Sequence, residues 1–340
     1  MAVVKANAYG HGLIEVSRFL ERQPVEYLGV ANAEEGVALR VAGIKAPILV
    51  FTLPALSQSR LFGDFGLECT ICSEPDARLL NAEGQRRGQT LPVHLKVDTG
   101  MNRIGVKVAD LAKLLKILGT MPRLEIKGVY THFATADRKE STFTRTQLEE
   151  FRRALEVLRK EGVSPEHVHC AGSGAIMHLP ESYFTMVRPG LALYGSYPSD
   201  KISKRFRVEP ALTLKTRVSL VKWIGSGETV SYGRRFTAKR RTQIATLPIG
   251  YADGYPRALS GRAEVLLAGR RFPVVGTICM DQLMVDVGRA DVGVGDEAIL
   301  IGRQGGQTIN AWDLARLAAT IPYEIFTNIS SRVPRIYDEP

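Results

Sequence analysis

Eight times in its first two hundred or so residues the chain alternates a short β-branched, apolar run with a helix-length amphipathic stretch, and no other feature constrains its fold as much. The candidate strands begin near Ala2, Tyr27, Pro47, Leu67, Pro92, Ile126, His167 and Thr185. The clearest intervening helix places Leu148, Phe151, Leu155 and Leu158 on one face and charged residues on the other. The pattern predicts an α/β fold, a (β/α)8 TIM-type barrel over residues 1–207, whose chemistry collects at the carboxyl ends of the strands.

Beyond Arg207 the period changes. The runs at 211–221, 242–250 and 263–276 alternate in twos between Gly and Pro punctuation, so a second, mainly antiparallel β domain is expected over 208–340. A late helix is expected around Trp312 to Thr320, capped by Asn310.

Composition excludes several classes. With 45% hydrophobic and 24% charged residues over 340, the chain has the balance of a globular protein. No apolar run is long enough to span a bilayer and no signal-peptide pattern opens the chain, so a cytoplasmic protein without a membrane partner is expected. The opening A-V-V-K reads as the middle of a core, which points to a segment upstream. The net charge of +10 is densest from Arg234 to Arg241, yet no finger, helix-turn-helix or stacking-aromatic pattern surrounds it. A solvated basic face, without nucleic acid, is the reading favoured. Cys69 and Cys72 form a C-x-x-C with no second ligand pair, and His167 and His169 share a strand face with no third ligand. Free thiols and ordinary strand packing are expected there, and no metal site.

The polar residues at the predicted strand ends are Lys5, Asn7 and Tyr9 after the first, Lys96, Asp98 and Arg103 after the fifth, His132 after the sixth, Ser173 after the seventh and Arg188 after the eighth. A lysine closing an apolar strand is costly, because burial disfavours its charged form. Snorkelling explains most single cases. Here the tyrosine, small residues and glycines of K-A-N-A-Y-G-H-G favour a Schiff-base lysine.

The string A-V-V-K-A-N-A-Y-G-H-G resembles the cofactor-attachment signature of the alanine racemases. Further motifs are similar to the same family in the same order: V-D-T-G-M-N-R-I-G at 97–105, T-H-F-A-T-A-D at 131–137, V-R-P-G-L-A-L-Y-G at 187–195, V-S-Y-G at 230–233, G-Y-A-D-G-Y at 250–255, C-M-D-Q at 279–282 and P-Y-E-I at 322–325. The resemblance spans essentially the whole chain. It implies a pyridoxal-phosphate-dependent enzyme interconverting L- and D-alanine and supplying D-alanine for peptidoglycan.

The resemblance also implies roles. Lys5 would bind the cofactor covalently and serve as one base, and Tyr232, from the second domain, as the other. Tyr9, Ser173, the backbone at Gly190 and Leu191, and Tyr323 would hold the phosphate. Arg188 would face the pyridine nitrogen. Arg103 and the backbone at Met280 would take the substrate carboxylate, His132 would support Tyr232 and Arg188, and Tyr251 would line the site. Lys96 matches a position carbamylated in many members, and Asp137 and Arg257 resemble residues at the substrate entrance. Cys279 and Asp281 read as structural neighbours of Met280. A head-to-tail homodimer with shared sites is implied. Family members usually carry a further strand and helix before the lysine motif.

Two-base chemistry suits these residue types. Racemisation removes the α-proton from one face and returns one to the other, so a single base on one side is a poor solution. Both unperturbed pKa values, about 10 and about 10.4, are too high for the task at neutrality. An arginine stays protonated and cannot let the pyridine nitrogen take a full proton, which should suppress transamination. Serine or broader specificity is the nearest alternative. A related decarboxylase would place a carboxylate where Arg188 stands, and a cofactor carrier would not need the domain bearing Tyr232.

Overall fold

The computed structural model describes residues 1–138, 141–199, 202 and 206–338. The chain falls into two compact units. Met1–Ala8, Gly12–Leu193 and Tyr197–Val208 make the first; Tyr9–His11, Tyr194–Ser196 and the chain from Glu209 onward make the second.

In the first unit the strands Ala2–Val3, Leu28–Val30, Ile48–Val50, Glu68–Ile71, Leu91–Asp98, Leu124–Tyr130, His167–Gly172 and Met186–Arg188 pair in parallel, in chain order. The short segment Val106–Lys107 adds to the fifth. Val3 N donates to the Pro189 carbonyl at 3.0 Å and Met1 N to that of Val187 at 3.0 Å, so the eighth strand lies beside the first and the sheet closes. Helices cover its outside because their apolar faces need burial. Thr142–Lys160 buries Leu148, Phe151, Ala154 and Leu158, with Leu155 half-buried, and its first turn is capped by the Ser141 hydroxyl accepting from Thr144 N.

The barrel interior departs from the usual stack of branched aliphatic side chains. Glu68, Thr70, His94, Lys96, His169 and Arg188 are all buried in it. Polar groups so enclosed must be hydrogen-bonded to one another, and that requirement organises the site.

The second unit is an antiparallel sheet in the order Leu214–Arg217, Glu297–Gln304, Glu264–Leu267, Arg270–Val275, Leu283–Gly288, Thr242–Leu247, Leu220–Ile224. The run at 211–221 is therefore two strands rather than one. Val218 N bonds to the Asp296 carbonyl and Ser219 N to that of Thr246, both at 2.9 Å, and there the chain exchanges one partner strand for another. The run at 263–276 is a hairpin turning on Ala268 (φ 47°) and Gly269 (φ 72°), the two left-handed positions of a tight hairpin turn. The late helix spans Ala311–Ala318. Asn310 caps it, accepting from Asp313 N while the Asp313 carboxylate accepts from Asn310 N. Among the described residues no helix is long and apolar enough to cross a membrane.

Candidate active site

Lys5 follows the first strand at the mouth of the barrel. Directly after it Ala6, Asn7, Ala8 and Tyr9 take φ values of 54°, 55°, 53° and 52°, one turn of left-handed helix. That conformation costs roughly 1–2 kcal/mol per residue, so local bonds must hold it. Ala8 N donates to the Val4 carbonyl (2.7 Å), Asn7 N to Glu35 Oε1 (3.2 Å) and Leu13 N to Asn7 Oδ1 (2.8 Å). Two alanines keep the turn narrow. Burial, with help from Arg103 and Arg188, pushes the Lys5 ammonium below the ordinary lysine value, against a smaller opposing pull from Glu35. The shift moves Lys5 towards the uncharged, nucleophilic form relative to a free lysine.

Arg188 ends the eighth strand, 5% exposed. Its Nη1 lies 2.8 Å from Nδ1 of His169; its Nη2 donates to the carbonyls of Thr131 (2.8 Å) and Cys170 (3.2 Å) and lies 3.2 Å from Nδ1 of His132. Because a guanidinium only donates, both imidazoles accept through Nδ1, which leaves the proton of each on Nε2. Burial first, then Arg188 beside them, holds both imidazoles well below the ordinary histidine range. His169 is thus a polar partner of Arg188, where sequence suggested ordinary strand packing.

Lys96, two residues before the end of the fifth strand, is buried, lies 4.5 Å over the Tyr130 ring and has no ion-pair partner among the described residues. Burial, followed by Arg188 and Arg103, drives its pKa far down. Arg103 is exposed in the next loop. That loop is tied by Asp98, whose Oδ1 accepts from Gly100 N (2.9 Å) and Asn102 N (3.0 Å) and whose Oδ2 accepts from Lys107 (2.7 Å).

The hydroxyl of Ser173 accepts from Gly190 N at 3.0 Å and from Ala192 N at 3.2 Å. Leu191, between these donors, is buried and begins a short 3-10 turn. With its acceptor side filled by these two N–H groups, the Ser173 hydroxyl keeps its own O–H to donate to an anionic oxygen.

In the second unit, Tyr9 stacks on Tyr194 with 5.0 Å between centroids and tilts against Tyr323 at 5.9 Å. Tyr232 sits on a strained turn, with Ser231 at φ 65°, Gly233 at 72° and Arg234 at 50°. Thr277 braces the turn: its carbonyl accepts from the Ser231 hydroxyl (2.6 Å) and its hydroxyl donates to the Tyr232 carbonyl (2.8 Å). Tyr232 is nevertheless 74% exposed. With Tyr251, Arg257, Cys279 and Met280 it lines a cleft of about 460 Å³. Tyr251 N and Ala252 N donate to the carbonyls of Cys279 and Met280, an approach that leaves Gly250 no room for a Cβ, which would stand 2.3 Å from the Cys279 oxygen. Asp281 pairs with Arg332 at 2.7 Å. Asp137 is exposed in the first unit.

Sequence reasoning missed three groups. His94 and Glu68 belong to the barrel's polar interior, and the period-2 placement of His94 on the same strand face as Lys96 was the available signal. Arg335 grips the loop after the lysine motif through the Gly10 carbonyl (2.9 Å), and no local pattern announces it. Among the described residues no group of three or more His, Cys, Asp or Glu is placed to hold a metal ion. A half-buried amine, a buried guanidinium and a hydroxyl with converging N–H donors fit a phosphorylated aldehyde with a ring nitrogen.

Residues 1–198 match the family described as alanine racemase, N-terminal domain, and residues 211–337 match alanine racemase, C-terminal domain. An alanine racemase of Symbiobacterium thermophilum is 50% identical over 338 residues, 99% of this chain and 90% of that protein. Among solved structures, the alanine racemase from D-cycloserine-producing Streptomyces lavendulae aligns with a TM-score of 0.95 at 38% identity, over 100% of this chain and 90% of that one. The alanine racemase of Bartonella henselae, with covalently bound pyridoxal phosphate, aligns with a TM-score of 0.89 at 30% identity, over 99% and 92%.

Proposed function

The chain belongs to the alanine racemase family, and from that membership we propose that it interconverts L- and D-alanine with pyridoxal 5'-phosphate by a two-base reaction. When bound, the cofactor draws electrons from the substrate's α-carbon and acidifies its proton. The protein must then hold, orient and exchange that proton. Lys5, whose pKa is depressed by burial and by Arg103 and Arg188, attaches the cofactor and handles the proton on one face. The phenol of Tyr232 handles the other face. That phenol is exposed on a single chain, which supports a homodimer in which the site of one protomer is completed by Tyr232 of the partner subunit.

The remaining roles carry over from the resemblance. Tyr9, Ser173, Tyr323 and the backbone at Gly190 and Leu191 hold the phosphate. Arg188 faces the pyridine nitrogen. His132, accepting from Arg188 through Nδ1, keeps a proton on Nε2 and positions the opposing tyrosine. Arg103 and the Met280 backbone take the substrate carboxylate, and Tyr251 lines the site. Burial, with Arg188 and Arg103 nearby, favours the uncharged form of Lys96, the form that reacts with carbon dioxide, and the resulting carbamate would answer those two cations. A barrel over 1–207 carries the cofactor and the domain over 208–340 the catalytic tyrosine. The protein works in the cytoplasm and supplies D-alanine for peptidoglycan.

The observation that carries this reading is Arg188. A buried guanidinium bonded to imidazoles and carbonyls gives the ring nitrogen a neighbour that cannot pass it a proton, as racemisation without transamination requires. Cofactor-loaded protein offered a panel of L-amino acids should convert alanine fastest, with serine behind it. Conversion of none of them, or release of carbon dioxide instead, would contradict the reading.

A further inference from the structure

A buried line of hydrogen bonds leaves Arg188 for the opposite end of the barrel. Arg188 Nη1 lies 2.8 Å from His169 Nδ1, His169 Nε2 lies 2.9 Å from His94 Nδ1, and His94 Nε2 lies 2.8 Å from Glu68 Oε2. Arg188 closes the eighth strand at the mouth; Glu68 opens the fourth strand at the floor.

The two ends fix the direction of every bond between them. A guanidinium has no acceptor and an ionised carboxylate has no donor. Burial would raise the Glu68 carboxyl, but the hydrogen bond from His94 and the nearby Lys127 more than offset it and keep the group ionised. Burial also pushes both imidazoles below their ordinary value, so each ring carries one proton. With one proton per ring, a single arrangement satisfies all three links: both histidines protonated on Nε2, both presenting a bare Nδ1 towards Arg188.

We infer that Glu68 is a positioning residue for Arg188, fixing through His94 the tautomer of His169 and so the bare nitrogen on which the guanidinium is oriented. The consequence for catalysis rests on the reading above, in which Arg188 faces the pyridine nitrogen. The line is built rather than incidental. The fifth strand shifts register between Val93 and His94, opposite Ile126 and Gly128. A Cβ at Gly128 would stand 2.2 Å from His94 Nδ1, so only glycine leaves room for the ring. Tyr130 stacks on His169 at 4.8 Å with 3° between planes. The second oxygen of Glu68 is taken by the Tyr27 hydroxyl and by Lys127, each at 3.1 Å, which leaves Oε2 for His94.

The test is Glu68→Gln in the full-length, pyridoxal-phosphate-loaded protein with ¹⁵N-labelled histidine. The carboxamide has one oxygen. Lys127 excludes an NH₂ group from its side, so the oxygen stays with Tyr27 and Lys127 and the NH₂ faces His94. Both tautomers should then invert to Nδ1–H, setting a donor against Arg188. The expected result is that inversion together with a fall in kcat for alanine of at least about tenfold, while KM stays within about twofold. Adding Lys127→Met lets the amide turn its oxygen to His94, so the double variant should regain Nε2–H histidines and a kcat within about threefold of wild type. Unchanged tautomers in the single variant, inverted tautomers with an unchanged rate, or a lowered rate with unchanged tautomers would each overturn the inference. If the single variant does not fold, the double variant decides alone, and Nδ1–H histidines or a tenfold lower kcat there would overturn it. Failure of the racemase reading is seen separately, as Nε2–H histidines in loaded wild-type protein that converts no amino acid.

Discussion

Nη1 of Arg188 lies 2.8 Å from Nδ1 of His169, a contact in which the arginine can only donate and the histidine must accept. Arg188 is thereby oriented by neutral groups, and among the described residues no carboxylate pairs with it. A group held in this way blocks protonation of whatever ring nitrogen it faces.

Arg188→Glu reverses that property. An acid beside the ring nitrogen lets it hold a proton, which draws charge from the substrate α-carbon for longer and gives a proton time to return at the wrong carbon. The rate of racemisation should fall by at least about a hundredfold, and pyruvate should form from alanine at a larger share of turnovers. Pyruvate yield per racemisation event, measured with a coupled assay, checks this. A variant with wild-type partitioning would reduce Arg188 to a structural ion.

Tyr232→Phe removes one hydroxyl from an exposed side chain, so the melting transition should shift by no more than about 0.5 kcal/mol in stability. Racemisation should nevertheless collapse, and unequally. In the proposed two-base reaction the proton that Tyr232 would handle belongs to one enantiomer alone, so solvent deuterium should still enter that reached by Lys5 and hardly the other. Equal exchange from both enantiomers at the wild-type rate would remove Tyr232 from the chemistry.

Acid should destabilise the fold earlier than its carboxylates alone would. His94, His132 and His169 all have folded pKa values lowered chiefly by burial. Each binds its proton more readily when unfolded, so its contribution is complete above about pH 6.5 and is lost as pH falls below that, by up to about 1.4 kcal/mol per pH unit per group. Urea midpoints measured from pH 8 down to pH 5 should be level at first and then drop. A flat midpoint across pH 7 to 5 would show that the three rings are free to titrate in the folded protein.

The parts of this molecule legible in its sequence are those written in a local period or a chemical motif. Alternating strands and helices announce the closed barrel, and Asn310 with Asp313 announces the late helix because a cap is a property of four neighbouring residues. Lys5, His132 and Arg188 were legible as polar residues at strand ends. Glu68 left no such mark and His94 only the strand face it shares with Lys96, since a polar residue within a strand reads as solvent-facing until the barrel closes around it. The split at Val218 and Ser219 depends on which strands are adjacent in space, and the hairpin at Ala268 and Gly269 is hidden within an apolar run. Arg335, more than three hundred residues from the Gly10 carbonyl it grips, leaves no local trace.

Whether Lys5 and Tyr232 work on one substrate molecule from two chains is measured most directly by subunit mixing. Lys5→Ala and Tyr232→Phe proteins, each almost inactive, are dissociated, mixed in equal amounts and reassociated with pyridoxal phosphate, and subunit exchange is verified by mass. In a shared-site dimer each mixed pair carries one doubly altered site and one intact site, so random pairing should return about a quarter of wild-type activity. Exchange without any recovery of activity would contradict the account, because no combination of these chains rebuilds a site that lies within one of them.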